Sequence, residues 1–70
     1  MMRFVRIRKE LGVSQSKLAR LADLHTTTVS QIETGHARPW PGQLRKIADA
    51  LGWQSDPQAL LEEVGTHDGD

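Results

Sequence analysis

The sequence has no cysteine and no tyrosine, and its 70 residues include only two tryptophans and one phenylalanine. Without cysteine, neither a disulfide framework nor a thiolate zinc site can form. The apolar runs are too short to span a bilayer, and the amino-terminal residues lack the apolar stretch and cleavage site of a signal peptide. We therefore expect one small domain that is soluble, cytoplasmic and not associated with a membrane.

The formal net charge is zero, but the charges are divided unevenly along the chain. Residues 1–46 contain all nine Lys and Arg with three acids, a net charge of +6, and residues 47–70 contain six acids and no Lys or Arg, a net charge of −6. This pattern is typical of a body that faces a polyanion and carries an acidic end. A segregation of surface charges that has no function would give the same pattern. A sequence motif is therefore needed to distinguish the two explanations.

The spacing of apolar residues predicts five short helices and no strand. We expect helices over about 3–11, 15–22, 26–34 and 41–51, and a last helix that begins at Pro57, with Asp56 as its N-cap, and carries an apolar stripe up to Val64. Ser14 is expected to cap the second helix. Residues 1–64 would form a single domain, and residues 65–70 a polar, disordered tail. The expected core comprises Leu18, Ala22, Leu24, Val29, Ile32, Leu44, Ile47, Leu51 and Trp53, with Ala19 and Ala48 where helices approach closely.

The outward face of the third helix is polar and uncharged, which is unusual for a small protein. At about 100° per residue, Val29 and Ile32 point inward, while Thr27, Ser30, Gln31 and Thr34 point outward and Thr26 lies at the edge. Threonine is a poor helix former, so three consecutive threonines require another reason. They either cap the helix or contact base edges, where Gln bonds adenine and Thr meets thymine. We favour base contact, because Gln31 lies a turn beyond the caps on the same face.

A long spaced pattern runs from the first predicted helix to the end of the fourth. It comprises Ile7-Arg8, Gly12, Ser14-Gln15, Leu18-Ala19, Leu24, Val29-Ser30, Ile32-Glu33, Gly35, Pro39, Leu44, Ile47-Ala48 and Leu51-Gly52. In this pattern the chain resembles the lambda repressor/Cro-like, or XRE, family of helix-turn-helix transcriptional regulators, over about residues 3–53. The resemblance implies an all-α, compact five-helix lambda repressor-like domain, in which helices 2 and 3 form the helix-turn-helix and helix 3 enters the major groove.

The resemblance also assigns individual residues. On the recognition helix we expect base contacts from Thr26, Thr27, Ser30 and Gln31. Phosphate contacts are expected from Gln15, Lys17 and Arg38, and Arg8 with Glu33 matches a family pair that bridges the first helix to the end of the third.

Four positions depart from the family pattern. His25 replaces a small capping residue, so either Thr26 caps the helix or His25 itself approaches the backbone. Lys17 stands at a helix position where a cation opposes the dipole, and Asp23 replaces a turn glycine but tolerates the left-handed conformation. Trp40 replaces a small polar cap. It either packs onto Leu44 or Arg45 as a hydrophobic staple, which we favour, or anchors a dimer or another partner.

No residue pattern supports catalysis, a cofactor or a metal site. His25, His36 and His67 lack metal-ligand spacing, and no serine has a nearby His and carboxylate, so we do not expect an enzyme. The leading hypothesis is a transcriptional regulator, a repressor in mode, that binds a palindromic operator in double-stranded DNA as a homodimer. The alternative is a protein-interaction module of the same fold, an antitoxin or co-regulator whose partner is a toxin or an anti-repressor. Leu60, Leu61 and Val64 either close the core or form a dimer patch, and the acidic end suits both hypotheses.

Overall fold

The computed structural model describes residues 1–64, which fold into four α-helices followed by a 3-10 helix. The α-helices are α1 (Arg3–Glu10), α2 (Gln15–Leu21), α3 (Thr26–Glu33) and α4 (Pro41–Leu51), and the 3-10 helix covers Pro57–Leu61. Within residues 1–64 the strand-type pairing is confined to one antiparallel bridge between Met2 and Glu63. The prediction of an all-α fold is confirmed. The tail expected at 65–70 lies outside the described residues, and the domain limit at 64 stays a prediction.

Each of the four α-helices begins at its predicted residue, and the local signals in the sequence explain why. The Ser14 hydroxyl accepts a hydrogen bond from the Lys17 backbone N–H at 3.0 Å and so caps α2. Pro41 occupies the first turn of α4, and Gly52 ends that helix in the left-handed conformation, with φ of 72°. Asp23 adopts the same conformation in the turn between α2 and α3, with φ of 57°, as expected for a residue in place of glycine.

A fifth α-helix is not confirmed, because the last apolar stripe forms a 3-10 helix of five residues, Pro57–Leu61. The expected start is correct: the Asp56 carboxylate accepts a hydrogen bond from the Gln58 N–H at 3.0 Å. The helix ends early because Glu62 turns extended, with ψ of 141°, and its carbonyl accepts the Arg3 N–H at 2.8 Å. Pairing with the amino-terminal residues thus competes with helix propagation and prevails.

The core is shared by all four helices and the 3-10 helix, and it differs in part from the expected set. Leu24, Leu51 and Trp53 are only partly buried, whereas Phe4 and Val5, which were not among the expected core residues, are fully or almost fully buried. Leu60, which was expected either to close the core or to form a dimer patch, is fully buried. Leu11, which directly follows α1, is 57% exposed. The buried apolar residues are Phe4, Val5, Leu18, Ala19, Ala22, Val29, Ile32, Leu44, Ile47, Ala48 and Leu60.

The end of α1 is joined to the end of α3 by an ion pair that is almost completely removed from solvent. Arg8 Nε donates to Glu33 Oε2 at 2.7 Å and Arg8 Nη2 donates to Glu33 Oε1 at 3.2 Å, with side chains 10% and 8% exposed. Arg8 Nη1 donates to the Val13 carbonyl at 2.8 Å, so the loop between α1 and α2 is held as well. Parallel bonds from a guanidinium to a carboxylate fix relative orientation as well as distance. This pair therefore sets the position of α3 against α1.

We expect Glu33→Gln to lower the free energy of unfolding by about 3–5 kcal/mol, because the Arg8 charge would remain buried without a counter-charge. Urea denaturation of both proteins measures the difference. Glu10→Gln is the matched control: it breaks the exposed Arg6–Glu10 pair (3.2 Å), which should cost less than about 1 kcal/mol. Equal losses in the two variants would contradict a structural role for Arg8–Glu33.

Burial of Leu60 predicts that the carboxyl-terminal segment closes the core. Leu60→Ala should cost about 2–5 kcal/mol through lost apolar burial and the cavity left behind, whereas Leu21→Ala, at a side chain that is 54% exposed, should change stability by less than about 0.5 kcal/mol. Thermal unfolding at two protein concentrations makes the distinction. A loss that appears only at high concentration would instead assign Leu60 to a dimer patch.

Candidate nucleic-acid interface

Helices α2 and α3 pack against each other across a turn of four residues, 22–25. The Leu24 N–H donates to the Ala19 carbonyl at 2.7 Å, which folds the turn back onto α2. Leu18, Ala19 and Ala22 on one side and Val29 and Ile32 on the other are buried. Because the apolar stripe of α3 is fixed in this way, its opposite face must point to solvent.

That outward face of α3 carries hydrogen-bonding groups and no charge. Thr26, Thr27 and Gln31 are exposed and Ser30 is half-buried, while the one charged residue of the helix, Glu33, turns inward to Arg8. Among the described residues, the side chains of Thr26, Thr27, Ser30 and Gln31 make no hydrogen bond with the protein. Their donors and acceptors are therefore available to a ligand. The four side chains assigned to base contact thus lie together on one accessible helix face.

The start of α3 does not use its threonines as caps. His25 occupies the N-cap position and makes no side-chain capping hydrogen bond, and Thr26 is already the first helical residue. At the other end, Thr34 Oγ1 donates to the carbonyls of Ser30 or Gln31 (3.1 and 3.2 Å) and lies 2.7 Å from His36 Nδ1. Capping thus explains the end of the helix better than its beginning. Capping hydrogen bonds within residues 1–64 therefore do not account for the run of threonines.

The first residue of α2, Gln15, has a structural partner that the sequence analysis did not assign to it. Its Nε2 donates to Glu33 Oε1 at 2.8 Å, so the amide joins the Arg8–Glu33 pair and links α2 to α3. An amide nitrogen has two donors, and this bond uses one of them. A contact between Gln15 and a phosphate would therefore use the second donor or the backbone N–H, with the side chain already held in place.

Lys17 and Arg38 are exposed and, within residues 1–64, form no ion pair. Lys9, Arg20 and Arg45 share this property, although the sequence analysis assigned no role to them. Arg20 lies three residues after Lys17 on α2, so the two cations share a face. That spacing is readable in the sequence and would have added Arg20 to the candidates. The exposed, unpaired cations within residues 1–64 are Lys9, Lys17, Arg20, Arg38 and Arg45.

The acidic residues near the end of the described chain form ion pairs with the amino-terminal residues. Glu62 Oε1 accepts from Arg3 Nη2 at 3.0 Å, and Glu63 Oε1 accepts from the Met1 amino group at 3.0 Å. The backbone supports both contacts, since the Val64 N–H donates to the Met1 carbonyl at 2.8 Å. These two carboxylates therefore do not neutralise the exposed cations of α2 and of the loop after α3.

Other kinds of site are not evident in the part of the chain that the structure describes. His25 and His36 lie at opposite ends of α3, and within residues 1–64 no three His, Cys, Asp or Glu side chains are grouped as a metal site requires; His67 lies outside this range. None of the helices in these residues combines the length and the apolar character needed to cross a bilayer.

Comparison with known proteins identifies the family to which this arrangement belongs. A family model described as Helix-turn-helix matches residues 5–55, which covers more than half of the chain and includes all four α-helices apart from the first two residues of α1. Searches of curated proteins and of solved structures returned no significant match. The matched region contains the α2–α3 pair, the exposed face of α3 and the loop that carries Arg38. The chain therefore belongs to the Cro/C1-type helix-turn-helix family, the XRE family of DNA-binding regulators.

Proposed function

We propose that this protein is a transcriptional repressor that binds double-stranded DNA in a sequence-specific manner, with α3 in the major groove. The observation that carries the proposal is the outward face of α3, which is accessible, uncharged and rich in unpaired donors and acceptors. Sequence is read through hydrogen bonds and methyl contacts at base edges. Neutral polar side chains on this face would contribute to discrimination between bases, whereas cations would bind the phosphates of any sequence.

Gln31 is the principal reading residue in this proposal, and Thr26, Thr27 and Ser30 complete the set. The Gln31 carbonyl accepts hydrogen bonds from the N–H groups of His36 and Ala37, at 2.9 and 3.2 Å, so the backbone at this residue is held firmly. Its amide is exposed and can bond adenine with one donor and one acceptor. A fixed backbone with a free amide is the arrangement that a base contact requires.

Affinity in this proposal comes from the surrounding cations. Lys17 and Arg38 bind phosphates on either side of the groove, and Gln15 contributes a donor at the start of α2. These contacts fix the position of α3 without reading sequence. We propose further that the chain binds DNA in the cytoplasm and acts there without a catalytic role or a cofactor.

We further propose that two copies bind a palindromic operator. One helix face with four reading side chains contacts only a few base pairs, which is too little information to select one site in a genome. Two copies related by a twofold axis would read two half-sites about 34 Å apart, one turn of the duplex. We therefore propose a homodimer, because two copies together contact enough base pairs to specify one site.

An antitoxin or co-regulator that binds a toxin or an anti-repressor is the alternative, and an acidic end free to contact such a partner would support it. Glu62 and Glu63 bind residues of the same chain, which weakens that support. We therefore favour DNA as the principal partner.

Selection of bound duplexes from a random library, at one stated salt concentration, tests the proposal. An inverted repeat with about 10–10.5 bp between half-site centres, or a multiple of that spacing, is expected. Binding that is salt-sensitive but enriches no sequence would contradict sequence-specific reading and favour the interaction module.

Gln31→Ala should relax the base preference at one position in each half-site and weaken operator binding by about 1–3 kcal/mol, because one two-point contact is lost. Repeating the selection with the variant measures this directly. Gln54→Ala is the matched control, since Gln54 is an exposed glutamine between α4 and the 3-10 helix. An unchanged preference in Gln31→Ala would show that another face of the domain reads the DNA.

Arg38→Ala and Lys17→Ala should each weaken operator and unrelated DNA alike, and each should reduce the slope of log K against log salt by about 1. Titrations at four or more salt concentrations give the slope. Arg6→Ala removes the same charge from the exposed Arg6–Glu10 pair on α1, and its slope should stay at the wild-type value. A similar change in all three variants would mean that only overall charge matters.

A further inference from the structure

The segment Pro39-Trp40-Pro41 presents a large apolar side chain to solvent at the start of α4. Trp40 is 73% exposed, more than the other exposed large apolar residues among the described residues, Leu11 and Leu21. The staple expected from the sequence would cover the indole against α4, and exposure of this extent shows that little of it is covered. The structure therefore leaves the role of this side chain unexplained by packing.

Trp40 is also a poor choice for its position in the helix. It is the N-cap of α4, where a Ser, Thr, Asp or Asn side chain would accept a hydrogen bond from a free backbone N–H. The indole has only a donor and cannot do this. The reciprocal contact alone forms, with the Trp40 N–H donating to Gln43 Oε1 at 3.0 Å. The chain thus forgoes a capping bond at a position where it displays an aromatic ring.

The backbone around Trp40 is restrained before any ligand binds. Prolines on both sides fix their own φ angles, and Pro41 restricts Trp40 to the extended conformation seen here, with ψ of 153°. Tryptophan has only two side-chain torsions to immobilise. A ring displayed on such a segment loses little conformational entropy on contact, which favours its use as an anchor.

The charge around this segment indicates what it contacts. Residues 34–48 contain Arg38, Arg45 and Lys46 and no acid. Lys46 lies 3.7 Å from Asp23, and the two arginines form no ion pair within the described residues. A second copy of this surface would bring like charges together, whereas a polyanion is attracted to it.

The short chain that joins Gln31 to Trp40 limits how far Trp40 can lie from the backbone of Gln31. The Ala37 N–H is bonded to the Gln31 carbonyl at 3.2 Å, and Trp40 follows three residues later, within roughly 11 Å of extended chain. The major groove is about 12 Å wide. The greatest separation that the chain allows is thus comparable to the width of the groove, which is compatible with a contact between Trp40 and a strand that borders it.

We propose that Trp40 is a DNA-contacting residue: its indole packs against the deoxyriboses that border the groove read by α3, next to the phosphate bound by Arg38. The contact rests on the proposed function and adds an apolar, sequence-independent component to it. It increases affinity without adding a charge, so it differs in its salt dependence from every contact made by a cation.

Trp40→Ser separates this role from a structural one, because serine provides the missing N-cap acceptor. The thermal midpoint should stay equal to that of the wild type or rise, while operator binding weakens roughly tenfold or more from the lost apolar contact. The salt slope and the selected sequence should stay as in the wild type. Trp40→Phe should recover most of the affinity, and Leu11→Ser, at an exposed apolar residue beside the Arg6–Glu10 pair, should leave it unchanged.

Acrylamide quenching in a Trp53→Phe background, where Trp40 is the single tryptophan, tests the contact directly. Operator DNA should protect the fluorophore, and raising protein concentration without DNA should not. Two results together would overturn this inference and leave the proposed function intact: Trp40→Ser binds the operator with wild-type affinity, and operator DNA does not protect Trp40 from acrylamide in the Trp53→Phe protein. Protection that depends only on protein concentration would assign Trp40 to a second copy. A wild-type protein that binds no DNA would remove the proposed function itself.

Discussion

The Arg8–Glu33 pair is the interaction on which the geometry of the interface depends. It joins the end of α1 to the end of α3, includes Gln15 at the start of α2, and holds the loop between α1 and α2 through the Val13 carbonyl. Burying two charges costs solvation free energy, and this cost is offset only when the bonds are short, parallel and complete. The pair therefore contributes a defined orientation of α3 more clearly than it contributes stability. It also turns the one charge of α3 inward, and so keeps the outward face neutral.

Pairing between the two ends of the described chain has a comparable effect on the electrostatics. Residues 1–3 bind the segment 59–64 through backbone bonds, through Arg3 with Glu62 and through the Met1 amino group with Glu63. Carboxylates that would otherwise compete for cations are held there. A net charge of zero thus coexists with a surface on which several cations are free, and a polyanion responds to that local arrangement and not to the total.

In the proposed function, different side chains carry out the separate physical tasks that DNA recognition requires. Neutral polar groups on α3 suit discrimination between bases, and the isolated cations on α2 and in the loop suit phosphates. In the contact proposed for it, Trp40 would add apolar surface, whose contribution to affinity would be independent of salt and of sequence. Because each task is assigned to different side chains, each can be removed by one substitution while the others continue to operate.

The sequence alone determined the all-α fold, the starts of the four α-helices, the Ser14 cap and the neutral face of α3. These features are local: they follow from residue periodicity, from capping side chains and from the φ angles that Gly, Asp and Pro accept. The family resemblance paired Arg8 with Glu33. The structure added the bond that Gln15 donates to Glu33 and the bond that the Val13 carbonyl accepts from Arg8.

Tertiary structure decided the features that depend on distant segments. The last apolar stripe stops as a 3-10 helix because Glu62 bonds Arg3, and no local propensity encodes a partner 59 residues away. Phe4 and Leu60 enter the core while Leu51 and Trp53 stay partly exposed, because burial depends on where other helices lie. For the same reason, the sequence did not determine whether Trp40 is exposed. It is compatible with an indole packed on α4 as a staple and with an indole exposed to solvent, and only the tertiary packing distinguishes the two.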